Sequence, residues 1–152
     1  MATWNELADA DPDLAAAGLR LLERTGTGEG LLATVRQDAP PRIHPVAVAV
    51  IDGHLVTWVI AASAKAADLR QDGRYALHAH QDPAAPNEFQ VRGRAAAVPP
   101  GGLRNAAMHW SFEVDEGFVL YELDIEHAVL GERPDAAAWP PIYSSWRSSH
   151  HG

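Results

Sequence analysis

Residues 42–70, RIHPVAVAVIDGHLVTWVIAASAKAADLR, contain the turn and the helix start that decide the fold. Two runs of alternating apolar residues flank Asp52 and Gly53, a dipeptide typical of a type I′ hairpin turn. Ser63 then precedes a short predicted helix that carries Lys65 in its first turn. We therefore predict a β-hairpin that brings a hydroxyl, an ammonium group and a helix N-terminus to one place.

Alternation of apolar and polar residues elsewhere in the chain indicates further strands. In all, six strands are predicted, over 31–36, 42–51, 54–61, 74–80, 88–98 and 118–130. Three short helices are predicted, over 11–25, 64–71 and 103–110, the first with an Asp-Pro start. Long strands joined by hairpins, with few helices, predict a mainly β protein built as a six-stranded antiparallel barrel.

The length of 152 residues suits one domain with a substantial core. We assign residues 1–147 to this domain. The N-terminal helix takes 11–25, the barrel 30–130 and a C-terminal segment 131–147. The serine- and histidine-rich residues 148–152 are expected to be a disordered tail.

Composition weighs against several functional classes. A net charge of −8 disfavours binding to nucleic acid or to an anionic membrane surface. The absence of cysteine excludes disulfides, thiolate zinc sites and a cysteine nucleophile. No apolar run of about 18 residues and no signal-peptide pattern occurs, so we expect a cytoplasmic protein.

Ser63 and Lys65 are candidates for phosphate binding, because phosphate requires directed donors and a nearby cation. A bare Ser-x-Lys is more often an N-cap serine and a solvated lysine, and both interpretations stay open. Arg42 and His44 begin the preceding strand and share one face, since side chains alternate along a strand. They are either ligand contacts or an edge residue and a partly buried polar residue.

Further candidates also have two interpretations. Pro45 lacks an N–H and fits an edge or a bulge, while Trp58 either walls a flat aromatic ligand or belongs to the core. Gln90 offers a donor and an acceptor to a ligand, or faces solvent. His78 and His80 point the same way, but no third ligand is apparent, so no metal site is predicted.

The sequence has no Gly-x-Ser-x-Gly, Walker or Gly-x-Gly-x-x-Gly motif. With no credible nucleophile or carboxylate pair, we assign no catalytic residue. A bound cofactor that supplies the reactivity fits better than hydrolase chemistry.

Four segments in order resemble the pyridoxamine 5′-phosphate oxidase-like family: GLLATVR (30–36), PRIHPV (41–46), LVTWVIAASAKAADLRQDGRYALHAH (55–80) and EFQVRGRA (88–95). Members of that family are split β-barrels that bind a flavin, usually FMN, and some use the deazaflavin F420. The resemblance implies a homodimer with the cofactor in a groove between the subunits.

The resemblance also implies a set of cofactor-binding residues. Ser63 and Lys65 would hold the phosphate, with Arg42 nearby. The strand residues His44, Pro45 and Val46 would run along the isoalloxazine, and Trp58 and Val59 would line the ribityl and phosphate end. The pocket would be completed by Gln90, Trp146 and Arg147. Ala49 and Ala64 stand where the oxidase itself commonly has basic residues, so vitamin B6 oxidation is not the activity implied.

Three functions remain open for a chain with this resemblance. The first is an FMN- or F420-dependent oxidoreductase that transfers hydride to or from a small organic substrate, with His44 as a candidate proton donor. The second is a non-catalytic carrier or sensor that binds flavin or haem on the same barrel. A structural dimerisation domain with an empty groove is a third alternative.

Overall fold

A computed structural model describes residues 1–110 and 113–149 of the chain. Within these residues the helices are α1 (Trp4–Ala10), α2 (Pro12–Leu22), α3 (Ala64–Gln71) and α4 (Gly102–Ala107). The strands are β1 (Glu29–Thr34), β2 (Arg42–Ala47), β3 (Ala49–Ile51), β4 (His54–Ile60), β5 (Arg74–Ala79), β6 (Glu88–Ala97), β7 (Phe118–Glu132) and β8 (Ile142–Arg147).

The strands form one antiparallel sheet in the order β2-β1-β5-β6-β7-β4-β3, and β8 pairs with β7. The first and last strands in this order, β2 and β3, are two halves of one segment of the chain and are separated only by Val48. The Val48 N–H donates to the Gly28 carbonyl oxygen at 3.0 Å instead of joining a ladder. The sheet therefore curls back on itself, and the antiparallel barrel-like architecture predicted from the sequence is confirmed.

The predicted strand count of six is wrong, since eight strands occur in the described residues. The segment 42–51 is divided at Val48, so β2 pairs with β1, and only β3 pairs with β4 across the expected hairpin turn. That turn is confirmed, with left-handed φ angles of 49° at Asp52 and 81° at Gly53. β8 was missed because its exposed residues show no alternation.

The chain termini also differ from the prediction. Helix α1 was not predicted. It begins with a capping box in which Thr3 and Glu6 exchange hydrogen bonds. Ser148, assigned above to a disordered tail, is buried, and its N–H donates to the Glu126 carbonyl oxygen at 2.9 Å. Residues 150–152 of that predicted tail lie outside the described residues.

The main core fills the inside of the curl. Opposed residues of four neighbouring strands, Leu32, Leu77, Val91 and Ala128, all face inward and are fully buried. Trp4 of α1 packs edge-on against Phe89 of β6, with ring centroids 6.0 Å apart. A second, smaller cluster lies under α4 and comprises Val56, Trp58, Ala107 and Leu120. Among residues 1–110 and 113–149, no helix has the length and apolar character to cross a membrane.

Gly93 marks an irregularity in β6, where the register with β7 shifts between Arg92 and Gly93. A Cβ atom at Gly93 would overlap the backbone carbonyl of Asp124. Because backbone of a paired strand cannot move aside as a flexible side chain does, only glycine fits here.

We expect Gly93→Ala to lower the free energy of unfolding by at least about 2 kcal/mol, in the range of overpacked sites. Gly102→Ala is the matched control, because a Cβ there meets no atom within 4 Å. Urea denaturation of both variants is the measurement. Equal stability of the two variants would contradict the close approach of β6 and β7.

Candidate functional site

The start of α3 is built by Ser63, which caps the helix. Its backbone is extended (φ −76°, ψ 159°), and its Oγ accepts the Ala66 N–H at 3.3 Å. The N-cap interpretation of Ser63 is therefore confirmed. The hydroxyl hydrogen is still able to donate, and the other N–H groups of the first turn have no intrahelical acceptor. This helix start is chemically suited to an anion.

Lys65 lies half-buried in the first turn of α3 and forms no ion pair with any part of the chain that the structure describes. Burial lowers the pKa of His44, and the nearby Lys65 charge lowers it further, so the two side chains are neighbours. Lys65 is also the one lysine among the 12 basic residues of the sequence. The sequence interpretation did not use this signal.

Asp68, further along α3, anchors the helix to β1 and β2. Its side chain is only 5% exposed. Oδ2 accepts from Arg42 Nε at 2.9 Å and from the Thr34 hydroxyl at 2.8 Å, and Oδ1 accepts from Arg42 Nη2 at 3.2 Å. The hydrogen bonds from Arg42 hold the pKa of Asp68 below its ordinary value although burial opposes this. The carboxylate is thus charged and satisfied.

His44 joins this network through Thr34, with its Nε2 atom 3.3 Å from the Thr34 hydroxyl oxygen. Because the Thr34 hydroxyl donates to Asp68, its oxygen must accept, and the proton lies on His44 Nε2. His44 Nδ1 then keeps its lone pair. With its pKa lowered, the imidazole is neutral near neutral pH.

The cluster carries an excess of positive charge. The charge of Arg36 also acts on Asp68 and helps to lower its pKa. Arg36 and Arg42 act on the Asp68 carboxylate, and Lys65 acts on the neighbouring His44, so the cluster holds three cations and one carboxylate, an excess of two positive charges. In an acidic protein such an excess favours an anionic ligand at this end of the barrel.

The structure brings Arg42, His44, Ser63 and Lys65 together but places Trp58 and Val59 in packed environments. Trp58 is buried under α4, its Nε1 donates to the Ala107 carbonyl oxygen at 3.1 Å, and Arg104 stacks over its ring at 5.3 Å. Val59 belongs to the main core. Within one subunit both residues therefore have the core interpretation that the sequence left open for Trp58.

The remaining predicted residues lie on other parts of the sheet. Pro45 and Gln90 share the outer face, because they belong to one row of opposed residues that runs through Leu31 and His78. Val46 lies opposite Gly30 on β1 and packs against the main core. On β8, Trp146 is half-buried against the core, and Arg147 is exposed opposite His127.

Thr34 and Asp68 are the site residues that sequence reasoning missed. The available signal was a threonine in an apolar strand and an aspartate on the apolar side of a helix, next to Leu69. Such polar residues at core positions need partners. Neither position alone reveals that the partners are each other and Arg42.

Two cavities of the single subunit lie away from this cluster. One of about 400 Å³ is lined by Asp11, Asp13 and Arg20 among others, and one of about 360 Å³ lies beside His54 and Glu122. Neither includes Ser63 or Lys65. At the α3 cluster the charged groups, not an enclosed volume, would select a ligand.

No family model matches the sequence, and no curated protein matches it. Solved structures do. A Listeria innocua protein named for pyridoxamine 5′-phosphate oxidase has a TM-score of 0.57 and 20% identity over 72% of this chain and 91% of that chain. PhzG of Burkholderia lata, solved with tetrahydrophenazine-1-carboxylic acid, gives 0.60 and 13% over 93% and 96%.

A haem-binding protein of Mycobacterium smegmatis gives a TM-score of 0.63 and 18% identity, and the match covers 85% of this chain and 57% of that chain. At these identities the similarity shows the fold. The chain has the split-barrel fold of pyridoxamine 5′-phosphate oxidase-like proteins, as the sequence resemblance implied.

We expect Asp68→Asn to destabilise the protein by about 1–3 kcal/mol near pH 7, the range for losing hydrogen bonds to a buried charged group. The folded-state pKa of Asp68 is lowered, so its contribution is present above the ordinary carboxyl pKa. This contribution is lost as the pH falls through the folded-state value. The stability gap between wild type and Asp68→Asn should therefore shrink in acid, as measured by urea denaturation at several pH values.

Asp72→Asn is the control for this experiment. The Asp72 carboxylate bonds to the exposed Arg74 at 2.6 Å, and Arg74 lowers the pKa of Asp72 to about 2. Solvent screens this exposed pair, so its loss should change stability little. A larger loss for Asp72→Asn than for Asp68→Asn, or a gap that stays constant with pH, would refute the anchoring role.

Proposed function

We propose that the protein is a cytoplasmic, homodimeric flavoprotein that binds FMN or the deazaflavin F420 and transfers hydride to or from a small organic substrate. The observation that supports this most is the cation-rich start of α3, where Ser63 and Lys65 stand beside Arg42 on a split barrel. Both cofactors carry a phosphate that such a donor set would hold.

The donor set fits a phosphate group. The Ser63 hydroxyl donates, the Lys65 ammonium has no ion-pair partner in residues 1–110 and 113–149, and Arg42 has Nη1 left after giving Nε and Nη2 to Asp68. Bound there, the cofactor would supply the hydride chemistry, while these residues bind and orient it. Asp68 would fix the direction of the Arg42 guanidinium.

His44 has a different role in this proposal from the proton donor considered at first. Its Nε2–H is already directed at Thr34, and its lowered pKa keeps the ring neutral. The remaining Nδ1 lone pair accepts a hydrogen bond. We therefore propose that His44 orients a donor group of the ligand, and we assign no catalytic side chain.

The outer face of β1 and β2 supports the proposed dimer. Leu31 and Ile43 are 40% and 69% exposed there. Pro45, also exposed, lies opposite Leu31 on the same face. An apolar sheet face of this kind is typical of a subunit contact. A second copy on this face would complete a groove, with Gln90 and Trp146 contributed from across the contact.

A carrier or sensor that binds flavin or haem is the second candidate, and one observation favours it. His78 Nδ1 lies 2.6 Å from the Ala79 carbonyl oxygen. Because that oxygen only accepts, Nδ1 carries the proton, and Nε2 keeps a lone pair on the outer face. A histidine held in this way is the usual form of a metal-ligating histidine. Haem titration monitored in the visible spectrum separates this candidate from the first.

We expect Lys65→Gln to weaken binding of FMN or F420 by about tenfold to a hundredfold. A charge-assisted hydrogen bond contributes about 1.5–3 kcal/mol, and 1.4 kcal/mol corresponds to a factor of ten. Fluorescence titration of the apo protein with each cofactor measures this loss. Arg70→Gln is the matched control, since Arg70 is an exposed cation on the same helix and, among the described residues, donates to the Ala61 carbonyl oxygen.

A direct readout is available because the chain has one lysine. Reductive methylation with ¹³C-formaldehyde labels Lys65 and the N-terminal amine, and NMR resolves the two signals. Cofactor binding should shift the Lys65 signal alone. If neither cofactor binds, or if both bind with the Lys65 signal unmoved, the proposed phosphate site is wrong.

A further inference from the structure

Three basic side chains form a row on the outer face of the sheet. Arg92 of β6 lies opposite His127 of β7, which in turn lies opposite Arg147 of β8. Opposed residues on antiparallel strands have Cβ atoms about 4.5–5.5 Å apart. The row therefore sets two exposed guanidinium groups on either side of one half-buried imidazole.

The row carries two positive charges. Neither Arg92 nor Arg147 forms an ion pair in residues 1–110 and 113–149. The neighbouring Glu126 acts on His127 only weakly, as the last of its electrostatic influences. The two guanidinium groups flank the imidazole from β6 and β8, and no carboxylate lies between them in the row. Glu6 lines a cavity together with Arg147 at one end of the row.

His127 supplies an independent observation. Its Nδ1 atom is buried and has no hydrogen-bond partner among the described residues. Burial lowers the pKa of His127, and the charges of Arg147 and Arg92 lower it further. A neutral imidazole between two guanidiniums avoids a third positive charge. It also offers one ring N–H to an acceptor.

We propose that Arg92, His127 and Arg147 bind the anionic group, a carboxylate or a phosphate, of a small organic molecule. Guanidinium groups suit both anions, because two N–H groups of one arginine can donate to two oxygens of a carboxylate or a phosphate. The two positive charges and the imidazole N–H between them favour a ligand whose oxygens carry negative charge and accept hydrogen bonds. The ligand supplies a negative charge to the row.

This site is separate from the start of α3. β7 lies four strands away from β2 in the order of the sheet. Arg42, opposite the buried Thr34, faces the other side of the sheet. The inference that this anion belongs to the substrate of the flavoprotein rests on the proposed function. The binding of an anion to the three side chains does not require a flavin.

The experiment follows the His127 ring by NMR on ¹⁵N-histidine-labelled protein, with the signal assigned through His127→Gln. Inorganic phosphate and acetate are titrated separately, without flavin. We expect a saturable shift of the His127 signal with at least one of the two anions. Arg92→Gln and Arg147→Gln should each weaken that binding about tenfold.

Arg94→Gln is the control, because Arg94 is exposed two residues along the same strand and should leave the binding unchanged. The His127 shift should also persist in Lys65→Gln, so that failure of the flavin proposal and failure of this one are distinguishable. No saturable shift, or an equal loss in Arg94→Gln, would overturn the site. So would a result in which Arg92→Gln alters only the monomer–dimer equilibrium, since a carboxylate of a second copy would then be the counter-charge.

Discussion

The buried carboxylate of Asp68 is the constraint on which the candidate site depends. It ties α3 to two strands at once, through the Thr34 hydroxyl on β1 and the guanidinium of Arg42 on β2. α3 has few apolar residues to hold it in place. Removing a carboxylate from water is costly unless its acceptors are filled, and here three donor contacts fill them. The orientation of the first turn of α3, and hence of Ser63 and Lys65, follows from this pairing.

Much of the fold could be predicted from the sequence because its signals are local. The Asp52-Gly53 turn and the helix after Ser63 each depend on a few adjacent residues. The division of the strand at Val48 is set instead by a hydrogen bond to the distant Gly28. β8 has no pattern of its own and exists because β7 is long enough to pair with it.

The candidate site was predicted in part for the same reason. Ser63 and Lys65 are recognisable as a helix start, whereas Asp68, the partner of Arg42, lies 26 positions away on another element. Thr34 joins the same carboxylate from β1. Trp58 shows the opposite difficulty. An aromatic residue in a strand has the same pattern whether it packs under a helix, as it does here, or lines a ligand groove. Only the packing of α4 distinguishes the two.

The break between β2 and β3 at Val48 affects how readily the edges of the sheet pair with other chains at high concentration. An open sheet ends in two strands whose unpaired amides and carbonyls recruit foreign chains into fibrils. Here the two end strands, β2 and β3, belong to one bent segment and lie close to each other. Fewer unpaired backbone groups are therefore open to another chain. The same bend that shapes the barrel thus limits the edge that is open to pairing with other chains.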